Sequence, residues 1–131
     1  MTGTTQKKKV ALVEDSTDTA ELMTVFLSRL CDDFQVCPFG TGPAFLETFQ
    51  RGIYWVVILD ISLPEIDGYE VLRRMRLIDP NIPVVAFTAH AGPDERERAI
   101  QAGFIDVVTK PVRDMDALCR RIIEVADRSA A

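Results

Sequence analysis

The sequence predicts a single-domain, doubly wound α/β sandwich, (βα)5, in which a five-stranded parallel sheet is covered by helices. Three observations carry this. Five short apolar runs recur along the chain, each rich in β-branched residues and of strand rather than helix length. They are apolar throughout instead of alternating, which is the pattern of strands covered on both faces of a parallel sheet. Between them lie longer segments whose apolar residues recur with helical spacing. The resulting βαβαβαβαβα order implies right-handed crossovers, and a length of 131 residues suits one hydrophobic core.

In order, KVALVED (9–15) is the first strand. Leu22, Met23, Phe26, Leu27 and Leu30 then form one stripe of a helix from about Asp18 to Leu30. FQVCPF (34–39) is the second strand, and Phe45, Leu46 and Phe49 mark the second helix. YWVVILD (54–60) is the most apolar run and so reads as the central strand, with Val71, Leu72 and Met75 marking the helix after it. IPVVAFTA (82–89) precedes a polar helix, PDERERAIQA (93–102), which has only Ile100 and alanines to bury. Pro93 suits its first position, and Gly103 the position just past its end. IDVVTKP (105–111) is the fifth strand; Met115, Leu118, Cys119, Ile122 and Ala126 stripe the last helix. Residues 1–8 read as a disordered tail and 128–131 as another, around a domain spanning 9–127.

Composition excludes several function classes. With 47% hydrophobic and 27% charged residues the chain is ordinary for a soluble globular protein. No apolar run approaches the ~20 residues of a membrane span. The basic MTGTTQKKK is followed only by VALV before Glu14 and Asp15 interrupt it, too short a stretch for a signal peptide. The chain therefore reads as cytoplasmic. A net charge of −5 argues against direct DNA binding, which needs a basic surface. Cys31, Cys37 and Cys119 show no CxxC spacing and read as reduced, partly buried thiols rather than a disulfide or a zinc site.

In a doubly wound sheet all strand C-termini open on one edge, where ligands bind. The chemically interesting residues fall there: Glu14 and Asp15 after the first strand, Asp60 after the third, Thr88 after the fourth, Lys110 after the fifth. The second strand ends in Pro38 and Phe39, with nothing reactive. Singly, Asp15-Ser16 and Asp67-Gly68 read as turn or cap chemistry, Thr88 as a strand residue and Lys110 as a solvated lysine. Jointly they suggest a site. Three carboxylates brought together repel unless a cation joins them, and a hard divalent ion such as Mg2+ is suited to that set. A carboxylate nucleophile beside a metal, an ammonium and a hydroxyl donor is suited to phosphoryl transfer.

The motifs VEDS (13–16), ILDISLPEIDGYEVLRRMR (58–76), PVVAFTA (83–89) and AGF followed by VVTKP (102–111) resemble, in this order and spacing, the CheY-like receiver domain of two-component response regulators. The likeness covers residues 9–127. It implies the flavodoxin-like strand order 2-1-3-4-5, a worked example of the general rule for such sheets. It implies that Asp60 accepts a phosphoryl group from a sensor histidine kinase or a histidine phosphotransfer protein, and that the acylphosphate then biases contacts with a downstream protein. Mg2+ would be held by Asp15, by Glu14 largely through water, by Asp60 and by the Ser62 backbone carbonyl. Thr88 and Lys110 would bind phosphoryl oxygens, Ala89 would leave room for them, and the Lys110–Pro111 bond would be cis. Ser62 and His90 match positions that tune phosphoryl lifetime. Val107 is a departure: the family usually has an aromatic ring there that swings inward on activation.

Other classes fit less well. Aspartyl-phosphate phosphatases of related fold carry a second aspartate two residues after the nucleophile, where this chain has Ser62. A flavodoxin-like cofactor binder needs a glycine-bearing phosphate loop after the first strand, and EDSTDTA is acidic without glycine. A receiver-shaped module that is never phosphorylated is disfavoured by the full acidic, threonine and lysine set. The reading is of a stand-alone receiver that catalyses its own phosphorylation and dephosphorylation without being a turnover enzyme; a receiver cut from a longer regulator or hybrid kinase is the alternative.

Overall fold

The computed structural model describes residues 7–130, so the expectations for residues 1–6 and 131 lie outside the described residues. Ten elements alternate strictly: β1 (Lys8–Val13), α1 (Thr17–Leu30), β2 (Phe34–Phe39), α2 (Gly42–Thr48), β3 (Val56–Asp60), α3 (Gly68–Ile78), β4 (Val84–Thr88), α4 (Pro93–Ala102), β5 (Asp106–Thr109) and α5 (Met115–Ala130). The five strands are parallel and ordered β2-β1-β3-β4-β5. α5 continues past Asp127 because Arg128, Ser129 and Ala130 offer neither glycine nor proline to stop it.

Continuous apolarity in the strands has a direct cause. Along β1 and β3, Val10, Leu12, Val56 and Ile58 face α1 and α5, while Ala11, Val13, Val57 and Leu59 face the side of α2, α3 and α4. Side chains alternate across the sheet, and both faces are dry, so every position must be apolar. All five residues of β3 and all five of β4 are buried.

Helix ends follow local chemistry. The Ser16 hydroxyl accepts the Thr19 amide to cap α1, and Asp67 accepts the Glu70 amide at 3.0 Å to cap α3. Gly103 ends α4 in the left-handed region (φ 116°), donating to the Ala99 and Ile100 carbonyls.

Three expectations are corrected here. The α1 stripe is narrower than its apolar content: Ala20, Met23, Leu27 and the cap Cys31 are buried, whereas Leu22, Phe26 and Leu30 are 58%, 41% and 42% exposed. Leu22, Phe26 and Leu30 form a neighbouring row, one residue round the helix from the row that meets the sheet. In α4 the buried residue is Ala99, and Ile100 points outward. Finally, Cys31 and Cys119 are not separate thiols: their sulfurs are joined as a disulfide, with Cα atoms 6.8 Å apart. Separated by 88 residues, they are brought together only by the packing of α1 on α5, which no spacing rule could reveal. Cys37 is free.

Candidate functional site

The strand order explains where the polar residues gather. β1, β3, β4 and β5 are consecutive neighbours, so their C-terminal ends form one continuous cleft, and β2, which ends without reactive groups, lies outside it. Val13 is registered with Leu59, which sets Glu14 and Asp15 beside Asp60. Thr88 is registered with Thr109, and the Lys110 amide donates to the Thr88 carbonyl at 2.8 Å, which carries Lys110 over the same edge. The Lys110–Pro111 peptide is cis.

Asp60 is 2% exposed. Its Oδ1 accepts the Ser62 amide at 2.8 Å and its Oδ2 accepts the Lys110 ammonium at 2.8 Å. Lys110 reaches across 50 residues of sequence to do this, and its Nζ also lies 2.5 Å from Glu14 Oε1 and 4.9 Å from the Phe87 ring centroid. Glu14 is as buried as Asp60, and its Oε2 accepts the Ser16 amide. The angle of the Lys110 contact nevertheless leaves Glu14 Oε1 without a directed hydrogen bond. Asp15 is exposed, but its carboxylate lies with those of Glu14 and Asp60 inside a sphere of ligand atoms all within 4.8 Å of one another.

The electrostatics follow from crowding. Burial pushes the Glu14 carboxyl up, and the nearby Asp60 charge adds to that; Lys110 and the Ser16 amide oppose it without cancelling it. Burial acts to lower the Lys110 pKa but is outweighed by its hydrogen bond to Asp60 and its close ion-pair contact with Glu14, so the ammonium is held charged more firmly than usual. Three carboxylates thus face one ammonium, with one buried oxygen undirected. A hard, oxygen-seeking divalent cation fits that donor set.

The other expected residues are placed as follows. The Thr88 hydroxyl is buried but engaged with its own loop, accepting the His90 amide at 3.1 Å and donating to the His90 carbonyl at 3.3 Å. Ala89, His90 and Ser62 are exposed at the rim. Val107 is 4% exposed and packs in the core on the α3–α4 side, away from solvent.

Asp106 was missed. It is 6% exposed, its Oδ1 accepts the Val107 amide at 2.8 Å and Arg96 of α4 at 3.2 Å, and its Oδ2 is paired with Arg121 of α5. Arg96 also donates to the Val107 carbonyl. The signal was present, because a lone carboxylate inside an apolar run is the same oddity that singles out Asp60. Asp106→Ala removes a buried acceptor from the Val107 amide and the common partner of two arginines. It is expected to lower unfolding free energy by about 1–3 kcal/mol, read as a lower urea midpoint with unchanged slope. The arginines are half-exposed and regain water, which keeps the loss in that range.

A lysine-answered aspartate with acidic neighbours, at the open edge of a 2-1-3-4-5 sheet, agrees with a receiver module of two-component signalling. The response regulator receiver domain family matches residues 10–123, and the chain belongs to that family. Among solved structures it is similar to a CheY-like receiver domain protein from Methanospirillum hungatei JF-1 (TM-score 0.84, 22% identity, 95% of this chain and 98% of that one). It is also similar to the receiver domain of sensor histidine kinase PA1611 from Pseudomonas aeruginosa PAO1, solved with a magnesium ion in its active-site cleft (TM-score 0.81, 27% identity, 92% and 98% covered). A curated relative is the cell cycle response regulator CtrA of Brucella ovis, 31% identical over 121 residues. The match takes in 92% of this chain but spans about half (51%) of CtrA. Among the described residues no helix is long and apolar enough to cross a membrane.

Proposed function

We propose that this receiver, spanning about residues 9–127, accepts a phosphoryl group on Asp60 from a phosphohistidine of a sensor histidine kinase or phosphotransfer protein. The Asp60 carboxylate bonds to phosphorus as the histidine nitrogen–phosphorus bond breaks, and the freed imidazole takes up a proton. The observation that carries the reading is a 2%-exposed carboxylate at the open end of the central strand, held by Lys110 and flanked by two further acids. Asp15, Asp60, Glu14 through water and the Ser62 carbonyl would hold Mg2+. When bound, the ion supplies positive charge to offset that of the carboxylates and the incoming phosphoryl oxygens.

The remaining roles belong to the chain. Lys110 keeps its proton and stays on the phosphoryl oxygens as Asp60 gives up Oδ2. Thr88 leaves its His90 carbonyl partner and donates to the phosphoryl group, and Ala89 leaves space beside it. His90 and Ser62 at the rim set how easily water attacks the acylphosphate; His90→Ala is expected to shift phosphoryl lifetime severalfold, followed by the decay of label after donor removal. The product carries up to about two added negative charges and selects among surface states that a downstream protein reads. The module works stoichiometrically and not by turnover. Val107 stands where the family resemblance implies a ring, and Asp106 beside it ties α4 and α5 to β5 through Arg96 and Arg121.

An exposed apolar surface beside the site supports docking of a donor protein there. The exposed row Leu22, Phe26 and Leu30 borders a groove of about 810 Å3 that reaches Ala89 and Lys110. Incubation with Mg2+ and acetyl phosphate, followed by intact mass, tests the acceptor chemistry: gain of one phosphoryl group supports it, and no gain beside a receiver that labels overturns it.

A further inference from the structure

Cys31 caps the C-terminus of α1, its amide donating to the Leu27 carbonyl at 2.9 Å, and Cys119 lies in the early turns of α5. They are 8% and 7% exposed and belong to the cluster that seals α1 and α5 onto one sheet face. Neither side chain takes part in the phosphoryl-acceptor site. Their Cα separation of 6.8 Å lies at the wide end of what a disulfide spans, so only a small outward movement of the α1 terminus is needed to accommodate two thiols instead. We propose that Cys31 and Cys119 form a reversible dithiol–disulfide site, oxidised by low-molecular-weight disulfides, that pins α1 to α5.

The chemistry is thiol–disulfide exchange. One thiolate attacks a sulfur of the oxidant, such as oxidised glutathione, displacing one glutathione thiolate and forming a mixed disulfide. The second cysteine attacks the protein sulfur of that bond and displaces the other glutathione. Two protein thiols are oxidised, two electrons reduce one external disulfide to two thiols, and the two protons pass to the departing thiolates. Access comes at the end of α1, where Cys31 is followed by exposed Asp32 and Asp33 and the last helical turn can open locally. Leu30, the residue before Cys31, and Met115, one helical turn before Cys119, both line the groove that reaches Lys110. The bridge therefore fixes two walls of that groove. This site stands on its own geometry and does not depend on phosphorylation.

The test is to treat the reduced chain with oxidised glutathione, denature it, alkylate with N-ethylmaleimide and measure intact mass with peptide mapping. Oxidation is expected to leave Cys37 alone alkylated, and dithiothreitol added to the folded oxidised protein to restore alkylation of all three cysteines. Closing a loop of 88 residues is expected to raise Tm on the order of 10 °C over the reduced form. Cys37→Ser keeps the whole response, and Cys119→Ser forms no internal bridge and loses the Tm difference. Three alkylatable cysteines after oxidant, a bridge that includes Cys37, a bridge that dithiothreitol leaves intact in the folded chain, or equal Tm values would each overturn the proposal.

Discussion

Asp60→Asn is expected to reduce phosphoryl uptake from acetyl phosphate to background under conditions in which the unaltered chain labels. The substitution is nearly isosteric. The amide oxygen can still accept the Ser62 amide that now reaches Oδ1 at 2.8 Å, so the β3 end keeps its shape. What is lost is the carboxylate charge, shared by Oδ1 and by the Oδ2 that Lys110 holds at 2.8 Å, on which the proposed acceptor chemistry depends. A neutral amide is not a nucleophile of comparable strength. Lys110 keeps Glu14 as a partner, so no ammonium is left stranded. Intact mass after Mg2+ and acetyl phosphate reads the result, with circular dichroism confirming the fold. Label at the unaltered level in the Asn variant would place the acceptor elsewhere and remove the basis for the site.

Why Asp60 could be found from sequence, and Asp106 only afterwards, is a matter of context. Each is a carboxylate at the boundary of an apolar run. Asp60 comes with Glu14, Asp15, Thr88 and Lys110 at matching strand ends, and strand ends share an edge in any parallel sheet. The positions of the candidate site groups are thus a consequence of topology, which hydrophobic runs disclose. Asp106 instead opens its strand, and its partners Arg96 and Arg121 are helix-surface residues. Which surface arginine bends toward which strand depends on how α4 and α5 pack, and that is set in three dimensions. The Thr88 hydroxyl is similar: its place on the edge was legible, but its present bonds to the His90 backbone were not. The α1 row fails for a different reason. Leu22, Phe26 and Leu30 are apolar without being core, because exposed apolar residues are common on folded surfaces. A sequence stripe cannot by itself separate the face that meets the sheet from the face that borders a groove.

Gly68→Ala is expected to destabilise the domain by about 3 kcal/mol and to weaken phosphoryl uptake as well. Gly68 is the first residue of α3, and a Cβ there would lie 2.5 Å from the Asp60 carbonyl oxygen and 2.7 Å from the Ile61 Cα. Both obstacles are backbone. Neither can rotate away, and the Gly68 amide is itself bonded to the Ile61 carbonyl at 2.8 Å, so the helix start is tied to the strand it would have to leave. Relief requires α3 to back off from the β3 end, which carries Asp60 with it. Gly42→Ala provides the comparison. Its Cβ would meet Val71 Cγ2 at 2.6 Å and Ile66 Cγ1 at 3.0 Å, both side-chain atoms rather than backbone. The half-buried Ile66 can change rotamer, while β-branched Val71 gives way by a small shift of its side chain. A loss of about 1 kcal/mol is expected there, with uptake unchanged. Paired urea titrations, scored with acetyl phosphate labelling, separate the two. Equal losses would mean that α3 is free to shift, and unchanged labelling in Gly68→Ala would mean that the acceptor does not depend on the glycine contact beneath it.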